Sequence, residues 1–246
     1  MQEIHAMIAS HPDVRGKTND TLISCISECF ACAQTCISCA DACIAEDMVS
    51  DLVHAETEDG KLEFAEAVSL VRAMIIAGND TTASAIGNLL YVLATQPEVA
   101  QTLHESVDDD RLLNRFVEEL LRIEPPVRAL AKMTTREVEL GGVKLPEHAH
   151  LMVMYASGND DETQFECPRK FDLNRGNLGK HVAFGVGVHR CIGASLSRME
   201  IKVVAREVVR RLGDIKLAIP ASEITYAPTV AVRTIERLPI TFTRRG

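Results

Sequence analysis

The chain has 246 residues, 46% hydrophobic and 25% charged, a balance that supports one large folded domain or two small ones and excludes long-range disorder. Thirty-five acidic side chains against 26 basic ones leave a net charge of −9, which argues against the basic surface that nucleic acid or an anionic membrane requires. Eight cysteines and no tryptophan are the unusual counts, and six of those cysteines fall between Cys25 and Cys43.

The first residues, MQEIHAMIASHPDV, lack a basic n-region, a continuous apolar h-region and a small-residue cleavage site, so they do not read as a signal peptide. No run approaches the roughly 18 apolar residues of a membrane span. The longest candidate, Val68 to Leu93, is broken by Arg72, Asn79 and Asp80. A cytoplasmic protein with reduced thiols is expected, with neither membrane nor nucleic acid as a partner. The first 47 residues carry seven acidic and two basic side chains, distinctly more acidic than the rest.

In chain order, Thr18-Asn19-Asp20-Thr21 offers N-cap chemistry for a helix reaching about Glu46. Polar residues 56–60 form the best loop between two halves. A long helix is predicted from Leu62 to Thr95, ahead of Pro97. Arg111 to Ile123 reads as an amphipathic helix stopped by Glu124-Pro125-Pro126. Strand-like pieces follow at Val138 to Leu145, around Gly141-Gly142, and at Leu151 to Tyr155. Residues 158–187 read as a long irregular stretch, which at that length is usually functional or disordered. A helix from about Ile192 to Leu212 and short strands finish the chain.

Cys25, Cys29, Cys32, Cys36, Cys39 and Cys43 are spaced 4, 3, 4, 3, 4, so on a helix all six thiols share one stripe. Soft thiolates at that spacing select Cu(I) or zinc, with facing helices completing the coordination. Disulfides within the stripe are disfavoured by geometry. The plain alternative is that these cysteines are small core hydrophobes. The stripe resembles the four-helix-bundle copper-storage proteins over residues 1–47. A complete thiol-lined core of that kind would require self-association through the cysteine helix or a partner.

The most specific segment runs from Phe184 to Gly193, Phe-Gly-Val-Gly-Val-His-Arg-Cys-Ile-Gly. Its glycines let backbone approach a bulky planar ligand, and the cysteine comes as a helix begins, where the helix terminus favours a thiolate. With this loop the sequence resembles the cytochrome P-450 family of haem-thiolate monooxygenases, matching its Phe-x-x-Gly-x-x-x-Cys-x-Gly motif at Phe184, Gly187, Cys191 and Gly193. The resemblance implies haem b with Cys191 as the proximal iron ligand, and places His189 at a haem propionate. It implies a buried structural triad of Glu119 and Arg122, from Glu-x-x-Arg, with Arg175 from Phe171-Asp172-Leu173-Asn174-Arg175. It also implies an oxygen-binding groove at Ala77-Gly78-Asn79-Asp80-Thr81-Thr82. There Gly78 leaves room for dioxygen, and Asp80 and Thr81 deliver protons, a role worth roughly 10²–10⁴ in rate. Read on residues alone, that segment is either a helix end followed by a new N-cap or a break within one helix; the flanking apolar pattern favours one interrupted helix. Three departures stand out: Lys132 where an arginine usually meets a propionate, Asn159-Asp160-Asp161-Glu162 for Asn-Arg-Asp-Pro, and Thr234 where glycine is common.

The expected fold is mainly α with small β-sheets: a cysteine-striped helix or helical hairpin, residues 1–47, joined to a partial cytochrome P-450 fold, residues 48–246, the C-terminal half of the family's usual chain. The implied activity is O₂-dependent hydroxylation of a small apolar organic substrate, with electrons from a ferredoxin- or flavin-type donor. Pro126 to Met133 and Thr229 to Val232 are the segments that would face that substrate. Two alternatives remain open, a Cu(I)-binding protein with a degenerate haem half and a fusion remnant that does neither.

Overall fold

The computed structural model describes residues 56–57 and 60–245, with side chains from residue 62 onward. The cysteine stripe and the expected junction at residues 47–48 lie outside the described residues. Two compact units result, one ending at Ile76 and the other beginning at Ala77.

In the first unit β1 (Glu56–Thr57) and β2 (Gly60–Lys61) pair antiparallel, with Thr57 opposite Gly60. Helix α1 (Phe64–Thr95) then begins, and the Glu63 N–H donates to Glu66 Oε2 at 3.0 Å, one half of a capping box. The helix runs unbroken through Ala77 to Thr82, so the reading of that segment as a helix end and a fresh N-cap is excluded.

In the second unit α1 buries Ala85, Leu89, Val92 and Leu93. Helix α2 (Pro97–Glu105) starts on a proline, whose fixed φ and missing N–H suit a helix start. Helix α3 (Asp110–Ile123) starts at Asp109, whose carboxylate accepts from Arg111 N at 2.9 Å and Leu112 N at 3.1 Å, a cap worth about 1 kcal/mol. Leu113, Phe116, Val117, Leu120 and Leu121 repeat at helical spacing and are buried, and the helix stops where Pro125 and Pro126 follow. Helix α5 (Ala194–Arg211) packs against both α2 and α3 through Ile201, Ala205, Val208 and Val209.

The sheets are small antiparallel pairs. Strand β3 (Leu130–Met133) pairs with β6 (His150–Val153), Leu130 opposite Val153. Between them β4 (Val138–Leu140) and β5 (Val143–Leu145) form a hairpin on Gly141 and Gly142, with φ of +57° and +80°. Left-handed backbone at both turn residues is what a two-residue hairpin of matching twist demands. The strand-like stretch expected at residues 138–145 around Gly141-Gly142 is thus two paired strands joined by that turn. The short helix α4 (Tyr155–Asn159) follows β6. β7 (Leu212–Leu217) and β8 (Ile240–Arg244) close the chain as another antiparallel pair. Among the described residues no helix is long and apolar enough to cross a membrane.

Candidate functional site

Residues 160–193 contain no strand and no α-helix, so their backbone polar groups need partners from elsewhere. A buried carboxylate on α3 organises much of this meander. Glu119, fully buried, accepts from Arg122 Nε at 2.8 Å and Nη2 at 2.9 Å, from Arg175 Nε at 3.1 Å and from Asp172 N at 2.9 Å. The remaining guanidinium donors reach meander carbonyls. Arg122 Nη1 bonds Asn159 O at 2.8 Å and Nη2 bonds Pro168 O at 2.6 Å. Arg175 bonds Glu166 O at 2.7 Å and Lys170 O at 3.0 Å. Arg122 also lies 5.0 Å over the Phe165 ring. A planar fork with five donors does this work; an ammonium would not.

The neighbouring carboxylate, Glu118, serves the next stretch of chain. Arg198 of α5 donates to it through Nε at 2.5 Å and Nη2 at 3.0 Å, and His181 Nε2 lies 2.9 Å from Oε2. His181 Nδ1 accepts the Ala183 N–H at 3.2 Å, so Nε2 carries the proton given to Glu118. Burial by itself raises the Glu118 carboxyl, but the hydrogen bonds from His181 and Arg198 outweigh it and hold it at about 2. A depressed folded-state value means that ionised Glu118 contributes stability above the ordinary value of 4.5 and loses it as pH falls towards about 2. In chemical denaturation the stability gap between the wild type and Glu118→Gln is therefore expected to be full near neutral pH and to close across that acid window. A gap that stays constant down to acid pH would contradict this assignment.

From Phe184 the chain enters the cysteine loop. Cys191 N donates back to Phe184 O at 2.9 Å, closing the loop, and Gly185 and Gly187 take φ of +66° and +74°, backbone that a side chain would strain. Residues 187–189 form a 3₁₀ turn that leaves His189 exposed. Cys191 is an exposed free thiol three residues ahead of α5. Val186, Val188 and Ile192 beside it are 71%, 97% and 85% exposed. The residues fit a haem. A soft sulfur donor stands free on a loop of large apolar side chains, which a planar apolar macrocycle would cover. Among the described residues no three His, Cys, Asp or Glu side chains form a metal-ligating cluster.

The other expected site residues occupy separate elements. Ala77, Gly78 and Asp80 are exposed on α1. A Cβ at Gly78 would meet nothing within 4 Å, so packing within the protein does not require glycine there. Thr81 Oγ1 donates to Ala77 O at 2.7 Å, turned back on its own helix. Lys132 lies exposed on β3, opposite Leu151. Among the described residues no hydrogen bond or ion pair joins Lys132, His189 and the Ala77–Thr81 turn to Cys191. The two segments expected to face substrate do meet: Arg128 N and Ala129 N both reach Ala231 O, at 2.7 and 3.3 Å, and Val127 bridges Val232. Thr234 makes use of its departure from glycine, its hydroxyl lying 2.8 Å from Ser84 Oγ on α1. Beside it Arg233 bonds Glu124, whose carboxyl is raised by burial and only partly brought back by Arg233 and Arg128. Hollows of about 480 and 600 Å³ lie on the meander around Cys167, and neither is lined by Cys191.

Sequence reasoning missed Glu118, His181 and Arg198, whose partners stand 63 and 80 residues apart. The one local signal was a second glutamate beside Glu119.

The cytochrome P450 family profile matches residues 18–213, a span that includes the cysteine stripe. Cytochrome P450 144 of Mycobacterium tuberculosis is 34% identical over 181 residues, covering 74% of this chain and 40% of that protein. Cytochrome P450 monooxygenase PikC of Streptomyces venezuelae is 34% identical over 203 residues, 82% of this chain and 48% of its own length. Among solved structures, cytochrome P450 CYP109Q5 from Chondromyces apiculatus superposes with a TM-score of 0.74 at 31% identity, over all of this chain and 64% of that one. The chain spans about half the length of the curated relatives it matches.

Proposed function

The chain belongs to the cytochrome P450 family, and from that premise we propose that it is a haem-thiolate oxidoreductase segment in which Cys191 ligates the iron. The exposed thiol at the closed end of the Phe184–Cys191 loop carries this reading. When bound, the haem supplies the iron at which dioxygen is reduced and one oxygen atom passed to an apolar substrate. Phe184 and Gly187 shape the loop that presents the sulfur. Lys132 and His189, both exposed, supply donors for the propionates, lysine as a point charge rather than a fork. Ala77 and Gly78 keep one face of α1 low for the oxygen side. Asp80 is exposed on α1 beside Thr81, open to solvent on the side where protons would be delivered. Thr81 must release its bond to Ala77 O before its hydroxyl can pass a proton outward. A ferredoxin- or flavin-type donor supplies the electrons, and the paired segments around Val127 and Val232 face a small apolar substrate.

The division into residues 1–47 and 48–246, and the Cu(I) reading of the cysteine stripe with its self-association, rest on spacing, composition and resemblance alone. Haem titration into the full chain tests the main reading: uptake is expected to saturate at about one haem per chain, as a single thiolate site requires. Non-saturable uptake, identical in the wild type and in a variant lacking Cys191, would refute it.

A further inference from the structure

We propose that Glu118 is a positioning residue for the cysteine loop, acting through Arg198 and His181 on the ring of Phe184. This rests on the reading of Cys191 as the haem ligand. The Phe184 ring contacts two groups that share one carboxylate. The Arg198 guanidinium lies 4.4 Å above it, and the His181 ring sits 6.1 Å away at 46°. Both are fixed by Glu118, Arg198 through two hydrogen bonds and His181 through one. The His181 ring cannot turn without losing the Ala183 N–H on its other nitrogen.

What Phe184 does is transmitted directly, because its carbonyl accepts the Cys191 N–H at 2.9 Å. Arg198 also bonds Ala194 O at 3.3 Å, just past the loop's far end. That bond is internal to α5 and holds the guanidinium at the helix's first turn, while its stacking on Phe184 reaches the loop's entry. The adjacent glutamates of α3 divide the work, Glu119 securing the meander and Glu118 the loop that follows it. Orientation of a metal ligand by such outer partners is typically worth 10–100-fold in affinity or activity.

The competing explanation is that Glu118–Arg198 merely pins α3 to α5, as the Arg206–Asp110 pair does near the other end of α3. Arg206→Gln is the matched control, since it removes an α3–α5 ion pair that does not touch Phe184. Glu118→Gln keeps shape and removes charge; Arg198→Lys keeps charge and removes the planar group over the ring. Amide exchange of Cys191 in the full chain reads loop order directly, with or without haem. Both loop variants are expected to speed it by about tenfold or more, the factor that loss of a charge-assisted hydrogen bond implies, while Arg206→Gln lowers only global stability. In the haem-loaded chain they are expected to release haem on the order of tenfold faster and to lose part of the thiolate-type absorption of the ferrous carbonyl complex. Cys191 exchange in the loop variants that matches Arg206→Gln would overturn the proposal, and Arg198→Lys carries the same test where Glu118→Gln does not fold. A wild-type chain without the thiolate absorption would instead sink the ligand reading, leaving the exchange result to stand or fall by itself.

Discussion

Replacing Glu119 by glutamine is expected to remove about 3–5 kcal/mol of folding stability, a large share of the roughly 5–15 kcal/mol that a domain possesses. Glu119 is fully buried, and Arg122 and Arg175 are 1% and 7% exposed. Without the carboxylate, two guanidinium charges stay buried with no counter-charge. Neither can withdraw to solvent, because their other donors hold the carbonyls of Asn159, Glu166, Pro168 and Lys170. Swapping a buried ion pair for apolar side chains is often neutral, but here it would leave those carbonyls unpaired at about 1–3 kcal/mol each. Arg122→Lys is expected to be nearly as damaging as Glu119→Gln, since a single ammonium cannot serve Glu119, two carbonyls and the Phe165 ring together. Thermal denaturation of the full chain measures this, with a fall in Tm on the order of 10 °C expected for Glu119→Gln. A midpoint unchanged from the wild type would mean that the meander is held by something other than this cluster.

Local chemistry made several parts of this arrangement readable in advance. The i,i+3 spacing of Glu119 and Arg122 puts the two side chains on one helix face, and the structure joins them at 2.8 Å. Gly141-Gly142 announced a turn, and α1 announced itself by an apolar periodicity that survives Gly78. Helix ends moved by about two residues, where fraying makes any boundary soft. What stayed hidden depends on distant partners. Leu130 to Met133 reads Leu-Ala-Lys-Met, residues that favour helices, and becomes a strand only because His150 to Val153 lies alongside. Nothing local distinguishes Glu118 from a surface charge on an amphipathic helix; only folding brings His181 and Arg198 to it. The Ser84–Thr234 contact spans 150 residues, which no local pattern encodes.

The cysteine loop was legible for a different reason. Gly185, Gly187 and Cys191 carry their meaning in residue type, through positive φ and soft sulfur, and need no distant partner to be recognised. Cys191→Ser is accordingly expected to change the haem chemistry completely and the fold hardly at all. The side chain is exposed, and surface substitutions away from packed features usually stay within about 0.5 kcal/mol. The hydroxyl that replaces the thiolate is a hard, neutral donor that does not push electron density onto iron. Haem bound to the variant, if any remains, is expected to lack the thiolate spectrum while denaturation midpoints match the wild type.

The most direct measurement is the absorption spectrum of the reduced carbonyl complex of the full chain, produced with haem supplied, beside that of Cys191→Ser. The wild type is expected to show the red-shifted Soret band of a thiolate-ligated iron, and the variant to lose it. A Soret band without that shift in the wild type, or a shifted band that persists in Cys191→Ser, would contradict it.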